Sequence, residues 1–442
     1  MMNAGKPLVG RIRWTVLAVL FGVTVINYAD RAILSLAAPL MTQDLGIDPL
    51  QLGIVFSAFG WSYVAAQLPG GWLLDRFGVR RVYLVAIVAW SLFTAAQGAV
   101  VFLSGAAAIT ALFLFRLMVG FAEAPSFPGN ARIVASWFPS SERGRATAIF
   151  TSAQYCATIV FAPIMAWIIG VIGWPEVFLF MGVVGLIAAF SWARTVHEPH
   201  RHPRIQPPEL ALIVDGGALI EQAEPAGRPD GATAQQIRAL ILAPALWGLY
   251  LHQFCVNALT YFFITWFPVY LVQERGLSII ETGLMTVIPS VCGFLGGLLG
   301  GVWSDWLLKR GHSLTMARKL PIVTGMLMSL AILGCNYSET QTMVMIFMSL
   351  AFFGKGFGAL GWAVMSDIAP PGAAGLSGGI FNMFGNMSSI VTPIAIGFIL
   401  QQTQSFELVL IFLAGCGFTA AFSLLFLFGK IERMKAPVPA GA

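Results

Sequence analysis

Two carboxylates, Asp30 and Glu123, sit deep inside apolar stretches of the chain, and each has an arginine nearby in sequence, Arg31 and Arg116. The remaining Asp and Glu residues read as helix ends or loops. An ionisable side chain near the middle of a bilayer costs about 2.5–3.5 kcal/mol on insertion scales. Such groups persist where they pair, line a water-filled cavity or handle charge. Two acids and two arginines on two segments are equipment for binding an anion and moving a proton. The planar fork of arginine makes two parallel charge-assisted hydrogen bonds to a carboxylate and keeps its charge. Burial and a nearby arginine act on a carboxyl proton in opposite directions. Protonation of Asp30 or Glu123 would therefore follow whether a substrate occupies the arginine. A plainer reading stays open, in which Arg31 is a structural partner of its neighbours and the acids only answer the arginines.

The elements that must position these groups are membrane helices. The 442 residues are 57% hydrophobic and only 10% charged, and apolar runs of spanning length recur throughout. The runs are continuous and do not alternate with period two, which favours helices over a barrel. Twelve spans are expected, at about 14–38, 52–74, 82–103, 107–130, 145–170, 174–193, 243–272, 281–304, 320–336, 341–364, 375–401 and 406–429. The chain is thus read as an all-α integral membrane protein. On these spans Asp30, Arg31 and Arg116 share one depth. Glu123 lies two turns further along span four, about 10 Å nearer the cytoplasm.

Charge sets the orientation. Lys6, Arg11 and Arg13 precede span one, Arg76, Arg80 and Arg81 follow span two, and Arg132, Arg143 and Arg145 flank the fourth turn-around. Further bases include Arg194, Arg228, Lys309, Arg310, Arg318, Lys319, Lys430, Arg433 and Lys435, all on the same side; the opposite loops carry only Arg275. Both termini are therefore expected in the cytoplasm. A proline-rich segment, 194–242, divides the chain into two sets of six spans, 14–193 and 243–430. Within it Glu209–Ile220 is expected as a short surface helix and the rest as a tether. The five cysteines lack metal-ligand spacing and read as small apolar helix residues. The glycines from Gly293 to Gly301 read as a helix-packing face, not a phosphate cradle. No metal, cofactor or nucleic-acid partner is expected.

The halves echo one another. Gly71-Trp-Leu-Leu-Asp75-Arg76-Phe-Gly78-Val-Arg80-Arg81 follows span two, and Gly301-Val-Trp-Ser-Asp305 with Lys309 and Arg310 follows span eight. The first of these matches the major facilitator signature G-x-x-x-D-R-x-G-x-R-R at every defining position. Other stretches resemble the anion:cation symporter branch of that family. They are Asn27-Tyr28-Ala29-Asp30-Arg31, Phe121-Ala-Glu123-Ala-Pro125-Ser-Phe-Pro128, and Ser136-Trp137-Phe138-Pro139 with Glu142-Arg143. The runs Phe353 to Trp362 and Gly378 to Met383 are most similar to glucarate/galactarate-type permeases.

The resemblance implies a major facilitator fold, twelve transmembrane helices in two six-helix pseudo-repeats, with spans one and four lining a central cavity. It implies a proton-coupled importer of an organic acid anion, foremost a hexarate, in the inner membrane of the cell, working as a monomer. Arg31 then becomes the ligand for the substrate carboxylate with Arg116 beside it, and Asp30 and Glu123 the proton carriers. Asp75 and Arg76 would help hold one gate, with Asp305 as the second-half echo. Tyr28, Tyr63, Gln154, Trp362 and Asn382 match branch positions that line the site, and Asn386 lies one turn beyond. Tyr63 and Trp362 could equally be packing anchors. Lys355, near the middle of span ten, would meet a second substrate carboxylate; alternatively its ammonium binds carbonyls opened by Gly354 and Gly356. Mono-acid galactonate carriers of the branch have hydroxyl residues near Ala359 and Gly361, which this chain lacks. Carriers of galactonate, hexuronate or tartrate, drug/proton antiport and phosphate exchange remain alternatives. No Ser/His/Asp or metal constellation within the spans points to an enzyme.

Overall fold

In the bilayer core every backbone N–H and C=O must find an internal partner, and a chain of continuous apolar runs does so as helices. The computed structural model describes residues 10–218, 237–370 and 374–434. Lys6, Arg228, Lys435 and the end of the expected 209–220 helix lie outside them. Among the described residues twelve helices are long and apolar enough to cross a membrane. They are α1 Ile12–Leu45, α2 Pro49–Phe77, α3 Val79–Phe102, α4 Gly105–Trp137, α5 Ser140–Val171 and α6 Trp174–Thr195 in the first half. In the second half they are α7 Leu246–Gln273, α8 Ile279–Lys309, α9 Leu314–Tyr337, α10 Gln341–Ile368, α11 Leu376–Thr403 and α12 Glu407–Leu427. Several run past the expected spans because their polar ends continue the helix beyond the apolar stretch.

Local chemistry sets the ends and the breaks. Asp48 and Gln51 form a reciprocal capping box at the start of α2, with Pro49 at the first helical position. Gly78, at φ +81°, stops α2 in a backbone region that a side chain would strain. The regular turns of α4 are interrupted between Glu123 and Ser126, at Pro125. A proline ring can neither donate to nor fit beneath the preceding turn. In α7 a π-turn, Phe262–Trp266, precedes Pro268, and in α10 a tight turn, Gly358–Leu360, sits in a glycine-rich run.

The halves meet closely at one end only. Alternate loops share an end, so the arginine-rich loops define a basic end and the others an opposite end. At the opposite end α2 lies directly against α11. A Cβ on Gly53 would come 2.5 Å from the Pro393 carbonyl oxygen, and one on Gly397 2.5 Å from the Pro49 oxygen. Across α5 and α8, a Cβ on Gly283 would lie 2.2 Å from Ala166 Cβ. Phe56 and Trp266 meet edge to face, with centroids 5.4 Å apart. Towards the basic end the same helices part: a Cβ on Gly71 of α2 or Gly379 of α11 would meet nothing within 4 Å. Among the described residues no salt bridge joins the two halves. No hydrogen bond among them crosses between halves either.

The connecting segment differs from the expected surface helix. Its helix, Pro207–Asp215, is docked on the first half, and Glu209 is fully buried. The cause is the start of α1, where backbone donors have no intrahelical acceptor. Glu209 accepts from the backbone N–H groups of Ile12 and Arg13, each at 3.1 Å. It also pairs with the Arg13 guanidinium at 3.1 Å, which holds Glu142 of α5 at 2.9 Å. The segment as far as Gly217 therefore braces the first bundle: Ser140 donates to the Gly216 carbonyl at 2.8 Å, and Arg143 to that of Gly217 at 2.5 Å.

Candidate functional site

Glycine sets the distance between the helices that carry the charges. A Cβ on Gly120 of α4 would fall 2.4 Å from the Phe59 carbonyl oxygen on α2. Two turns beyond Glu123, Tyr83 of α3 donates to Asn130 of α4 at 2.7 Å, and Asn130 donates to Thr24 of α1 at 3.1 Å. This relay fixes the register of α1 against α4 and so brings the buried charges together. Arg31 Nε donates to Glu123 Oε2 at 2.9 Å, and its Nη2 donates to Asn27 Oδ1 at 3.1 Å. Three rings enclose the guanidinium: Tyr28 at 4.7 Å, Phe59 at 4.7 Å and Tyr63 at 4.9 Å.

Arg116 turns elsewhere. It donates to the backbone carbonyls of Asp30 and Arg31 at 3.4 Å each, so it steadies the α1 backbone at the site. The carboxyl of Asp30 is 1% exposed, and neither of its oxygens has a hydrogen-bond partner among the described residues. Spans one and four therefore touch through these four residues. The length of the arginine bridges the depth that separates Arg31 from Glu123.

A cavity opens beside this cluster, between α1, α5, α7, α8 and α10. Tyr28, Gln154 and Lys355 line it, and of the α1–α4 cluster only Tyr28 does. Arg31 stands directly behind that tyrosine. Among the described residues Lys355 is the only charged one on the wall. It is buried, with Nζ 5.0 Å from the Phe352 ring and 5.9 Å from that of Tyr155. Among the described residues it makes no ion pair or hydrogen bond. Gly354 and Gly356 do not open their turns to it; they are contact points, where a Cβ would meet Gly325 O at 2.3 Å and Gly293 O at 2.4 Å. The glycine row of α8 packs there, with a Cβ on Gly296 only 2.0 Å from the Phe353 carbonyl oxygen.

The other expected residues fall outside this cavity. Asn386 accepts from Tyr261 at 2.9 Å and donates to Asn382 Oδ1 at 3.0 Å, an amide chain between α7 and α11. Trp362 faces the basic end, 6.4 Å from Phe127 of the other half and 5.1 Å from Phe381. Sequence reasoning missed Tyr155, Thr286, Ser290 and Phe352, all on the cavity wall. Thr286 and Ser290 were detectable as hydroxyls one turn apart in an apolar span.

The repeated loop motif shows one chemistry in two versions. Asp75 pairs with Arg132 of α4 at 2.5 Å, and Arg80 donates to the Ala193 carbonyl at 3.0 Å. Arg76 and Arg81 are exposed, and Gly71 and Gly78 flank the helix end. In the second half Asp305 lies 3.8 Å from Arg318, which holds Asp367 more closely, at 2.9 Å.

Comparison with known proteins places this geometry. A family model described as Major Facilitator Superfamily matches residues 20–360. The chain is 54% identical over 432 residues to the probable galactarate/D-glucarate transporter GudP of Escherichia coli (strain K12), covering 97% of this chain and 96% of that one. It is 39% identical to the D-galactonate transporter of Escherichia coli O6:H1, covering 98% and 99%. Among solved structures, a D-xylose-proton symporter superposes with a TM-score of 0.72 at 13% identity, covering 96% and 99%. That likeness speaks to the fold alone.

Proposed function

The chain belongs to the Major Facilitator Superfamily and is a multi-pass membrane transporter, not an enzyme, and on that premise we propose that it imports a hexarate dianion, glucarate or galactarate, together with protons. The observation that carries this reading is Lys355, a buried cation that among the described residues has no partner and is the only charge on the cavity wall. An ammonium in that position favours an anion. Arg31, behind Tyr28 on the facing half, supplies a second cation with a carboxylate-matching fork. Two cations flanking one cavity suit a ligand with a carboxylate at each end. The relatives named for galactarate and glucarate agree with that choice.

Coupling follows from competition for Arg31. In this conformer Glu123 occupies the guanidinium. A proton on Glu123 removes half of that pair, and Arg31 is then free to turn its fork to the substrate carboxylate. Asp30, with no partner for either oxygen, is the second proton carrier. Arg116 keeps the α1 backbone in place while partners exchange. Gln154 on the wall, and Tyr63, Trp362, Asn382 and Asn386 around it, orient the substrate as the halves close.

The basic end is the cytoplasmic end by charge distribution. The conformer described is sealed on the outer side and parted on the inner side. Alternating access rocks the bundles 14–193 and 243–430 about the site, with the 194–242 segment between them. Asp75 with Arg132, and Asp305 with Arg318, lie where the inner gate forms. The chain works as a monomer in the inner membrane, with both termini in the cytoplasm.

The test is uptake by proteoliposomes under an imposed proton gradient, with glucarate, galactarate, galactonate, tartrate and glucuronate as substrates. Gradient-driven accumulation of a hexarate above the others is the expected result. Preference for a mono-acid would overturn the dianion assignment, and accumulation indifferent to the gradient would overturn proton coupling.

A further inference from the structure

The cavity wall carries a polar pattern that its single charge does not explain. Thr286 and Ser290 lie one turn apart on α8, both buried and both on the wall with Lys355. Each donates its proton to its own helix: Thr286 to the Gly283 carbonyl and Ser290 to that of Thr286, both at 2.9 Å. A hydroxyl bonded in this way offers the cavity only its lone pairs. Ser35 of α1 and Thr260 of α7 repeat the arrangement, donating to Ala32 at 2.8 Å and to Val256 at 3.0 Å.

This stretch of wall thus presents hydroxyl acceptors beside the Lys355 ammonium, with further donors across the cavity at Tyr28, Gln154 and Tyr155. A carboxylate, itself an acceptor, finds no match among those hydroxyls. Ligand hydroxyls, which are donors, do. Packing brings the two features side by side. A Cβ on Gly293, the next turn of α8, would lie 2.8 Å from the Phe352 ring, so the Phe352–Lys355 face of α10 lies along the same stretch of α8.

Resting on the hexarate reading, we infer that Thr286 and Ser290 are specificity-determining residues. They accept hydrogen bonds from substrate hydroxyls next to the carboxylate held by Lys355. The site thereby selects a polyhydroxylated diacid over an unsubstituted diacid of the same chain length.

The experiment measures dissociation constants of galactarate and of adipate for the purified full-length transporter and for the variants Thr286→Val, Ser290→Ala and Ser290→Cys. The wild type is expected to favour galactarate. Each variant should weaken galactarate binding about three- to tenfold while adipate shifts less than about twofold. The near-isosteric Ser290→Cys, a poor acceptor, separates loss of the oxygen from loss of volume. Equal losses for both diacids, or unchanged galactarate binding, would overturn the inference and leave the hexarate reading standing. A wild type that binds neither diacid would overturn both.

Discussion

The two halves handle buried charge in opposite ways. The first half buries two acids and two arginines in one cluster, in which Arg31 pairs with Glu123 at 2.9 Å, Arg116 grips the α1 backbone and the Asp30 carboxyl has no partner among the described residues. The second half buries Lys355, which lies 5.0 Å from the Phe352 ring and makes no ion pair or hydrogen bond among the described residues; the other buried polar side chains there are amides, hydroxyls and the imidazole of His252. A paired cluster can exchange partners, so it can respond to a proton. A lone ammonium has no partner to exchange; while charged, it offers its attraction to a ligand anion. On the function proposed above, this difference would divide the work, with coupling in the first half and ligand length and identity read by the second.

The largest expected effect would break this division in the first half. Glu123→Gln imitates the permanently protonated acid. Substrate counterflow should survive in proteoliposomes while proton-driven accumulation disappears. A variant that still accumulates substrate would pass the coupling role to Asp30.

Lys355→Met tests the second half. It should weaken glucarate binding by one to two decades, about 1.5–3 kcal/mol, and leave gluconate nearly unchanged. Equal losses for the two ligands would make Lys355 structural and erase the contrast. Arg31→Lys keeps the charge but loses the fork and its stacking, so uptake should fall at least about tenfold, roughly 1.4 kcal/mol. Near-normal uptake by this variant would remove Arg31 from the binding role.

The smallest effect concerns a charge outside the membrane helices. Glu209→Gln should lower stability by about 1–3 kcal/mol, read as an earlier thermal midpoint in detergent, because a buried partner of Arg13 is lost. Its affinity for galactarate should stay at the wild-type value. A change in affinity would show that the brace at the base of α1 reaches the site.

Much of this was readable beforehand, for reasons that differ by residue. Span number and the repeated Gly-x-x-x-Asp loop follow from one-dimensional patterns, hydropathy and charge. The rarity of Asp30, Glu123 and Lys355 within apolar runs marked them without any knowledge of contacts. The pairing of Arg31 with Glu123 was out of reach, because it depends on Gly120 admitting α2 and on the Thr24–Asn130–Tyr83 relay aligning α1 with α4. Glu209 misled for the same reason. Its local pattern is that of a surface helix, and its partner Arg13 is 196 positions away. The lysine's alternative, a bond to carbonyls near Gly354 and Gly356, looked reasonable until those glycines proved to be helix contacts.

The seam at the opposite end has a mechanical consequence. Backbone meets backbone there at Gly53, Pro393 and Gly397, and no hydrogen bond or ion pair holds it among the described residues. Dispersion is short-ranged: a gap of about 0.5–1 Å already forfeits about a quarter to a half of it. Such a closure has little elastic range. Opening should therefore be abrupt, with no half-released intermediate, and its rate should ignore ionic strength. A single added methyl group, as in Gly53→Ala, would act as a wedge and tilt the whole transporter towards its other face.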